Sequence, residues 1–317
     1  MAITHNKKDN FGKIGVLMGG PSAEREISLK SGKAVLKSLK ALNLDVVEID
    51  IQTDGSQENI NLIRSLAIDC AFLTLHGRFG EDGQLQAILE ELGIPYTGSG
   101  KFASRLAMDK ISSRKILEVY GLSVPRFQIA EKKSCNTDSI INSELIFPLV
   151  VKPAMQGSSI GLSIVDSKND LAPAIKLAFE FDDKILIEEY IKGRELTVGI
   201  LDNRALPAIE IVPKKRFFDY EAKYSAGLTE YIVPAQLPQE IVNKIESAAL
   251  KVHHLLGCYA YSRIDIILNQ ENVPFILEAN TIPGFTQTSL FPKAAKVAGI
   301  EFGQLCLELI RLAHDKT

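Results

Sequence analysis

Apolar residues along the first hundred positions follow two alternating rhythms. Three short runs, 13–18 (KIGVLM), 44–51 (LDVVEIDI) and 68–75 (IDCAFLTL), are rich in Val, Ile and Leu, the pattern of strands buried on both faces. Between and after them, 24–42 and 83–92 space their apolar residues three and four apart, as an amphipathic helix does. Strand and helix alternating in this way predict a parallel sheet with its functional loops at the carboxyl ends of the strands. The string YTGSGK at 96–101 is dense in turn residues and marks a boundary, and a helix is predicted over about 103–120.

The pattern then changes. Runs at 149–152 (LVVK), 159–165 (SIGLSIV) and 184–190 (KILIEEY) read as strands around a helix at about 167–180, a small α+β unit. Further strands are expected at 195–201 (ELTVGIL) and 205–212 (ALPAIEIV), then a polar and aromatic stretch, 214–231, with weak periodicity of either kind. A long helix at about 239–256 precedes two apolar runs, YSRIDIIL and VPFILEAN, and two helices close the chain. No internal repeat or low-complexity segment interrupts this order.

Composition narrows the function classes. The chain of 317 residues carries 36 Lys and Arg against 39 Asp and Glu, a net charge of −3, with no long basic run, so the electrostatic footprint of a nucleic-acid or membrane-surface binder is missing and small-molecule partners are expected. Cys70, Cys135, Cys258 and Cys306 lie far apart without a C-x-x-C pair, which fits reduced thiols. The polar start MAITHNKKDNFGK lacks the apolar core of a signal peptide, and no apolar run approaches a membrane span. A cytoplasmic location is expected.

Candidate chemistry concentrates in a few strings. Arg263 and Asp265 are two apart in one predicted strand, Glu278 and Asn280 two apart in the next, so each couple shares a face. With a four-residue loop at 269–272, residue 268 pairs with 273, which sets Arg263 opposite Glu278 and Asp265 opposite Ile276, with Ile264, Ile266, Leu277 and Ala279 pointing the other way. Two carboxylates and an amide oxygen suit Mg²⁺ or Mn²⁺, which complete their shells with water and substrate phosphates. A cross-strand Arg263–Glu278 ion pair is the alternative. VKPAMQGSSIG, 151–161, offers a lysine and then a Gly-Ser-Ser turn whose amides, with the Ser158 hydroxyl, can cradle phosphate oxygens. A plain hairpin tip would have the same composition. It is no P-loop, because no Gly-Lys pair is followed by Ser or Thr.

Near the amino terminus MGGPSAERE, 18–26, leaves the first strand and opens a helix without satisfying G-x-G-x-x-G. Glu24 there either serves the helix dipole or holds a substrate ammonium. LHGRFGEDG, 75–83, follows the third strand and offers His76 as base, ligand or positioner. His5, His253, His254 and His314 carry no assigned role. KKRFFDYEAKYSAGLTEY, 214–231, reads either as a lid over an anionic site or as a solvated loop.

Taken in order, MGGPSAERE, HGRFGEDG, YTGSG, AMDK, VKPAMQGSSIG, LIEEY, GRELTV, DYEAKY, SRID and LEANTIPGFTQTSLFP resemble the D-alanine–D-alanine ligase family of the ATP-grasp superfamily over essentially the whole chain. The resemblance implies an α/β and α+β protein with a three-domain ATP-grasp fold: a Rossmann-like parallel-sheet substrate domain at 1–98, a central ATP-grasp domain at 99–191, and a C-terminal ATP-grasp domain at 192–317 with the metal site and the lid. By position, Lys110, Lys152, Glu188 and Glu195 would bind ATP and Lys223 its terminal phosphates, while Asp265, Glu278 and Asn280 would hold two Mg²⁺ or Mn²⁺.

The same resemblance gives Glu24 the ammonium of the first D-alanine, aided by His76, and links Glu24, Ser158 and Tyr224 in a triad. Arg263 and the Gly284 amide would stabilise an oxyanion; Ser289, with Leu290 beside it, would bind the second substrate. It further implies a cell-wall ligase forming an acyl phosphate, as a homodimer, with Tyr224 favouring an amine acceptor over D-lactate. Ser262, Ile282 and Met155-Gln156 depart from commoner family variants.

Overall fold

The computed structural model describes residues 11–136, 140, 144–213 and 229–316. Its first part runs β1 (Ile14–Gly19), α1 (Arg25–Ala41), β2 (Val46–Ile51), α2 (Ser56–Leu66), β3 (Cys70–Leu73) and α3 (Gln84–Glu91). The three strands form a parallel sheet in the order β2-β1-β3. Both faces are covered, which explains why β1 and β3 are buried along their whole length, whereas β2 at the edge carries Glu48 and Asp50. Leu17, Ile49 and Leu73 pack with Ile63 and Leu85 on one side. Val16, Met18 and Phe72 meet Phe285, Phe291, Leu305 and Leu309 on the other.

The middle contains α4 (Lys101–Met108), α5 (Lys110–Val119), β4 (Phe127–Glu131), β5 (Leu149–Pro153), β6 (Ser163–Val165), α6 (Lys168–Ala178) and β7 (Lys184–Glu189). The helix expected over 103–120 is divided. Asp109 takes an extended conformation and its carboxylate accepts from the amides of Ile111 and Ser112 at 3.0 and 3.2 Å, capping α5. The strand expected from 159 begins only at Ser163, because Ser158, Ser159 and Gly161 have φ of +50°, +61° and +70° and form a left-handed turn. Strand β4, which lacks a continuous apolar run, escaped the pattern. It is an edge strand in an antiparallel sheet ordered β4-β7-β5-β6, covered by α6 through Leu171 and Ile175.

The last part holds β8 (Gly193–Leu201), β9 (Arg204–Ala205), β10 (Ile209–Pro213), β11 (Thr229–Ile232), α7 (Gln239–Leu255), β12 (Tyr261–Asn269), β13 (Pro274–Asn280), α8 (Leu290–Val297) and α9 (Phe302–Asp315). The run expected as one strand over 205–212 is two, β9 and β10. The stretch 214–231, expected as lid or loop, lies outside the described residues except for its last three, which open β11. The six-stranded sheet is ordered β11-β10-β8-β12-β13 with β9 on β8, and α7 covers one face through Ile245 and Val252 against Val198, Ile264 and Ile276.

The hairpin of β12 and β13 corrects the expected register. Leu268 pairs with Pro274, so the loop is one residue longer than expected, and Asn269 Oδ1 holds it by accepting from the amides of Glu271 and Val273 at 3.1 and 2.8 Å. The ladder then slips by one residue between Asp265 and Ile266. Asp265 therefore faces Glu278 and Arg263 faces Asn280. The four polar residues still share a face, but Leu277, the extra residue of the bulge, turns to the cleft instead of the core.

Candidate active site

Two cavities open between the sheets. One of about 320 Å³ is lined by Lys110, Lys152, Glu188, Tyr190, Leu277 and Ile267 among others, and a larger one of about 550 Å³ by Glu24, His76, Arg263, Asn280, Gly284, Ser289 and Leu290 among others. Glu195, Asp265, Glu278, Ile211 and Gly157 border both.

In the smaller cavity cations gather over apolar walls. The Asp109 break puts Lys110 on the first turn of α5, where its Nζ donates to the Gln156 carbonyl at 2.5 Å and lies 3.6 Å from Glu278. Lys152 on β5 lies 2.5 Å from Glu188 on β7, and Arg114, one turn beyond Lys110, reaches the other Glu188 oxygen at 2.9 Å and also donates to the Ile276 carbonyl. Burial away from water pulls the Lys152 ammonium down to about 8, with Glu188 opposing and Arg114 and Lys110 adding to the fall. Burial would raise the Glu188 carboxyl, but Arg114, Lys152 and Lys110 hold it below the usual value. Arg114 went unmarked in the sequence; its signal is a charge at i+4 from Lys110 on the helix's buried face.

In the larger cavity the loops after β1 and β3 meet. Ser22 donates to the His76 carbonyl at 2.7 Å, which ties the loops together. Glu24 is buried and accepts a hydrogen bond from Ser158 Oγ across the cleft. Gly77, at φ +72°, passes so close that a Cβ there would lie 2.8 Å from Glu24 Oε2, so the approach requires glycine.

His76 is buried with both ring nitrogens engaged. Nδ1 lies 3.0 Å from the Ile282 carbonyl, and Nε2 lies 3.3 Å from Ser31 Oγ, which accepts from the Phe285 amide at 3.1 Å. Burial lowers its pKa, outweighing Glu24. A neutral ring donating through Nδ1 satisfies all three contacts and fixes the 282–285 turn. Glu81, also unmarked in the sequence, accepts from the Gly77 amide at 2.6 Å, and burial followed by the neighbouring Glu24 pushes its carboxyl up to about 8.

Where the cavities meet, Arg263 grips Asp265 through Nε at 2.9 Å and Nη2 at 2.7 Å, Thr197 donates to Asp265 at 2.6 Å, and Asn280 Nδ2 lies 3.3 Å from it. The register sets Asp265, not Arg263, directly across from Glu278, and Arg263 pairs with Asp265 within one strand. Among the described residues no group of three or more His, Cys, Asp and Glu is arranged to hold a metal ion by itself. Two carboxylates and an amide oxygen form a hard, incomplete donor set, of the kind a divalent cation completes with phosphate oxygens and water. At the far wall Ser289 precedes α8, accepting from the Thr286 amide at 3.0 Å, and a Cβ on Gly284 would come within 3.3 Å of its Oγ. Lys223 and Tyr224 lie outside the described residues.

Two family descriptions match the chain: D-ala D-ala ligase N-terminus over residues 13–61 and 56–99, and D-ala D-ala ligase C-terminus over 116–311. A D-alanine–D-alanine ligase of Pelotomaculum thermopropionicum is 47% identical over 312 residues, covering 96% of this chain and 97% of that protein. One from Geotalea uraniireducens is 48% identical over 306 residues, covering 96% of each. Among solved structures, the Bacillus anthracis D-alanine–D-alanine ligase complexed with ATP superposes with a TM-score of 0.85 at 36% identity, covering 96% of this chain and 98% of that one. The VanG D-Ala:D-Ser ligase of Enterococcus faecalis gives 0.83 at 33%, covering 95% and 99%.

Proposed function

From the premise that this chain belongs to the D-alanine–D-alanine ligase family and is an ATP-dependent ligase joining two D-alanines, we propose how its residues divide the work. The observation that carries the reading is the common wall of Asp265, Glu278 and Glu195 between a cation-lined cavity and a carboxylate-lined one. ATP occupies the smaller cavity, its base against Leu277 and Ile267 and its phosphates toward Lys110 and Lys152, with Glu188 and Glu195 on the ribose and phosphate side. The first D-alanine lies in the larger cavity with its ammonium on Glu24, while His76 holds the 282–285 turn in place.

Its carboxylate oxygen attacks the γ-phosphorus, the bond to the β-phosphate oxygen breaks, and ADP and an acyl phosphate result. The amine of the second D-alanine, its carboxylate at Ser289 and Leu290, then attacks the acyl carbon. The tetrahedral oxyanion is met by Arg263 and the Gly284 amide, and phosphate leaves with the C–O bonding pair and takes up the extra proton of the attacking nitrogen. Bound at Asp265, Glu278 and Asn280, Mg²⁺ or Mn²⁺ would neutralise phosphate charge. Lys223 and Tyr224 are assigned by family resemblance to the terminal phosphates and to a link with Ser158 and Glu24.

The same reading divides the chain at about 98 and 191, makes the product a cell-wall precursor, and places a homodimer in the cytoplasm, where four free thiols and an ATP requirement fit. Among the described residues no helix is long and apolar enough to cross a membrane. The test is incubation with ATP, Mg²⁺ and D-alanine, alone and in competition with D-serine or D-lactate. Phosphate release matched by D-alanyl-D-alanine as the dominant product mass is expected, and a dominant mixed product would move the acceptor assignment.

A further inference from the structure

Lys293 stands on the second turn of α8, its amide bonded to the Ser289 carbonyl at 3.0 Å. Its ammonium lies 4.4 Å from the centre of the Tyr231 ring. That ring packs with Leu290 and Ile211, and it lines the larger cavity beside Ser289 and Leu290. The ammonium is therefore one side chain behind the wall at which the acceptor's carboxylate is placed.

Two further observations separate Lys293 from an ordinary surface lysine. It is half-buried, and burial lowers its pKa, so its charge is only partly screened by water. Among the described residues its contact is the Tyr231 face rather than a carboxylate. A ring face holds a cation in place while leaving its charge intact. The cavity in front of it must receive a carboxylate on a second amino acid, whereas the first amino acid is held by its ammonium on the opposite wall.

We propose that Lys293, held by Tyr231, is a positioning and specificity-determining residue for the acceptor: its positive charge draws the acceptor's carboxylate to the Ser289–Leu290 end of the cavity. The inference rests on the assignment of that end as the carboxylate subsite. It concerns the acceptor alone, since ATP and the first D-alanine bind against other walls.

The experiment measures KM for ATP and for each of the two D-alanines, with kcat and melting temperature, in the native enzyme and in Lys293→Met, Lys293→Arg and Ser289→Ala. Lys293→Met raises KM for the second D-alanine about three- to tenfold, the scale of one partly screened charge. It leaves kcat and the other two KM values within about twofold, and Lys293→Arg restores the native KM because the charge over the ring is retained. If Ser289→Ala raises the acceptor KM and Lys293→Met does not, the charge has no role in acceptor binding and the inference falls alone. If Ser289→Ala leaves that KM unchanged, the subsite assignment falls and takes this inference with it. Lys293→Met moving all three KM values together with the melting temperature would make the residue a structural support for β11 and overturn the proposal.

Discussion

Glu278 borders both cavities and lies 3.6 Å from Lys110. Glu278→Gln keeps its shape and removes the charge assigned to the metal, so turnover with Mg²⁺ should fall about 10²-fold or more with little change in melting temperature, read by phosphate release and thermal unfolding. Near-native turnover at limiting Mg²⁺ would remove Glu278 from metal binding and leave its ion pairing as the better account. A second residue-scale prediction concerns His253, which is buried with Nδ1 2.7 Å from Ser262 Oγ. Burial, helped by His254, brings it down to about 4. Below pH 6.5 the unfolded chain therefore takes the proton first, and stability is lost as pH falls from 6.5 to 4, by about 3 kcal/mol in all. Urea unfolding at pH 7 and 4.5 should show a smaller loss in His253→Gln. The pair also gives Ser262, a departure from commoner family variants, a physical place: its hydroxyl has a partner in the core. Nothing in sequence spacing couples positions 253 and 262, since the pair exists only once α7 packs on β12.

At the scale of elements, most buried strands and amphipathic helices were legible because burial on one or two faces leaves a periodic trace, although α2, with only Ile60 and Ile63 as buried aliphatic residues, was not expected. Most of what else escaped is what periodicity does not encode. The α4–α5 break is an Asp capping the following helix, chemistry carried by one side chain in an otherwise helical pattern. The β12–β13 bulge is a one-residue slip whose net effect on the polar face is nil, so alternation alone could not reveal it. The slip matters for Leu277, expected in the core and found on the cleft wall beside Ile267. Leu277→Ala should raise KM for ATP about five- to tenfold through lost apolar contact, corresponding to roughly 1–1.5 kcal/mol. Stability should hardly change, because the side chain supports no core packing. A loss of stability without any change in ATP affinity would return Leu277 to the hydrophobic interior.

Across the whole molecule, the charges that assemble the cleft are themselves structural ties. Arg114 joins α5 to β7 through Glu188 and to β13 through the Ile276 carbonyl. Arg114→Met should cost about 3–5 kcal/mol, because it leaves Glu188 with less compensation for its burial; equilibrium unfolding measures it, and a loss under 1 kcal/mol would show the tie to be dispensable. The shared core is equally long-range. Leu305 and Leu309 of α9 pack against the face of the parallel sheet carrying Val16 and Phe72, so the last helix belongs physically with the first strands. Local pattern could place each of these elements, but not their partnership.

Gly157 borders both cavities, and a Cβ there would lie 3.3 Å from Glu24 Oε2. Both cavities share this residue as a wall, so on the proposed assignment a reactive mixed anhydride formed at the partition would have little distance to travel before its next partner. Such geometry makes the yield of dipeptide per ATP consumed a property of how tightly the partition fits, since any slack there admits water as a competing nucleophile. Coupling efficiency, rather than speed, is the quantity in which small changes around Gly157 would first become visible.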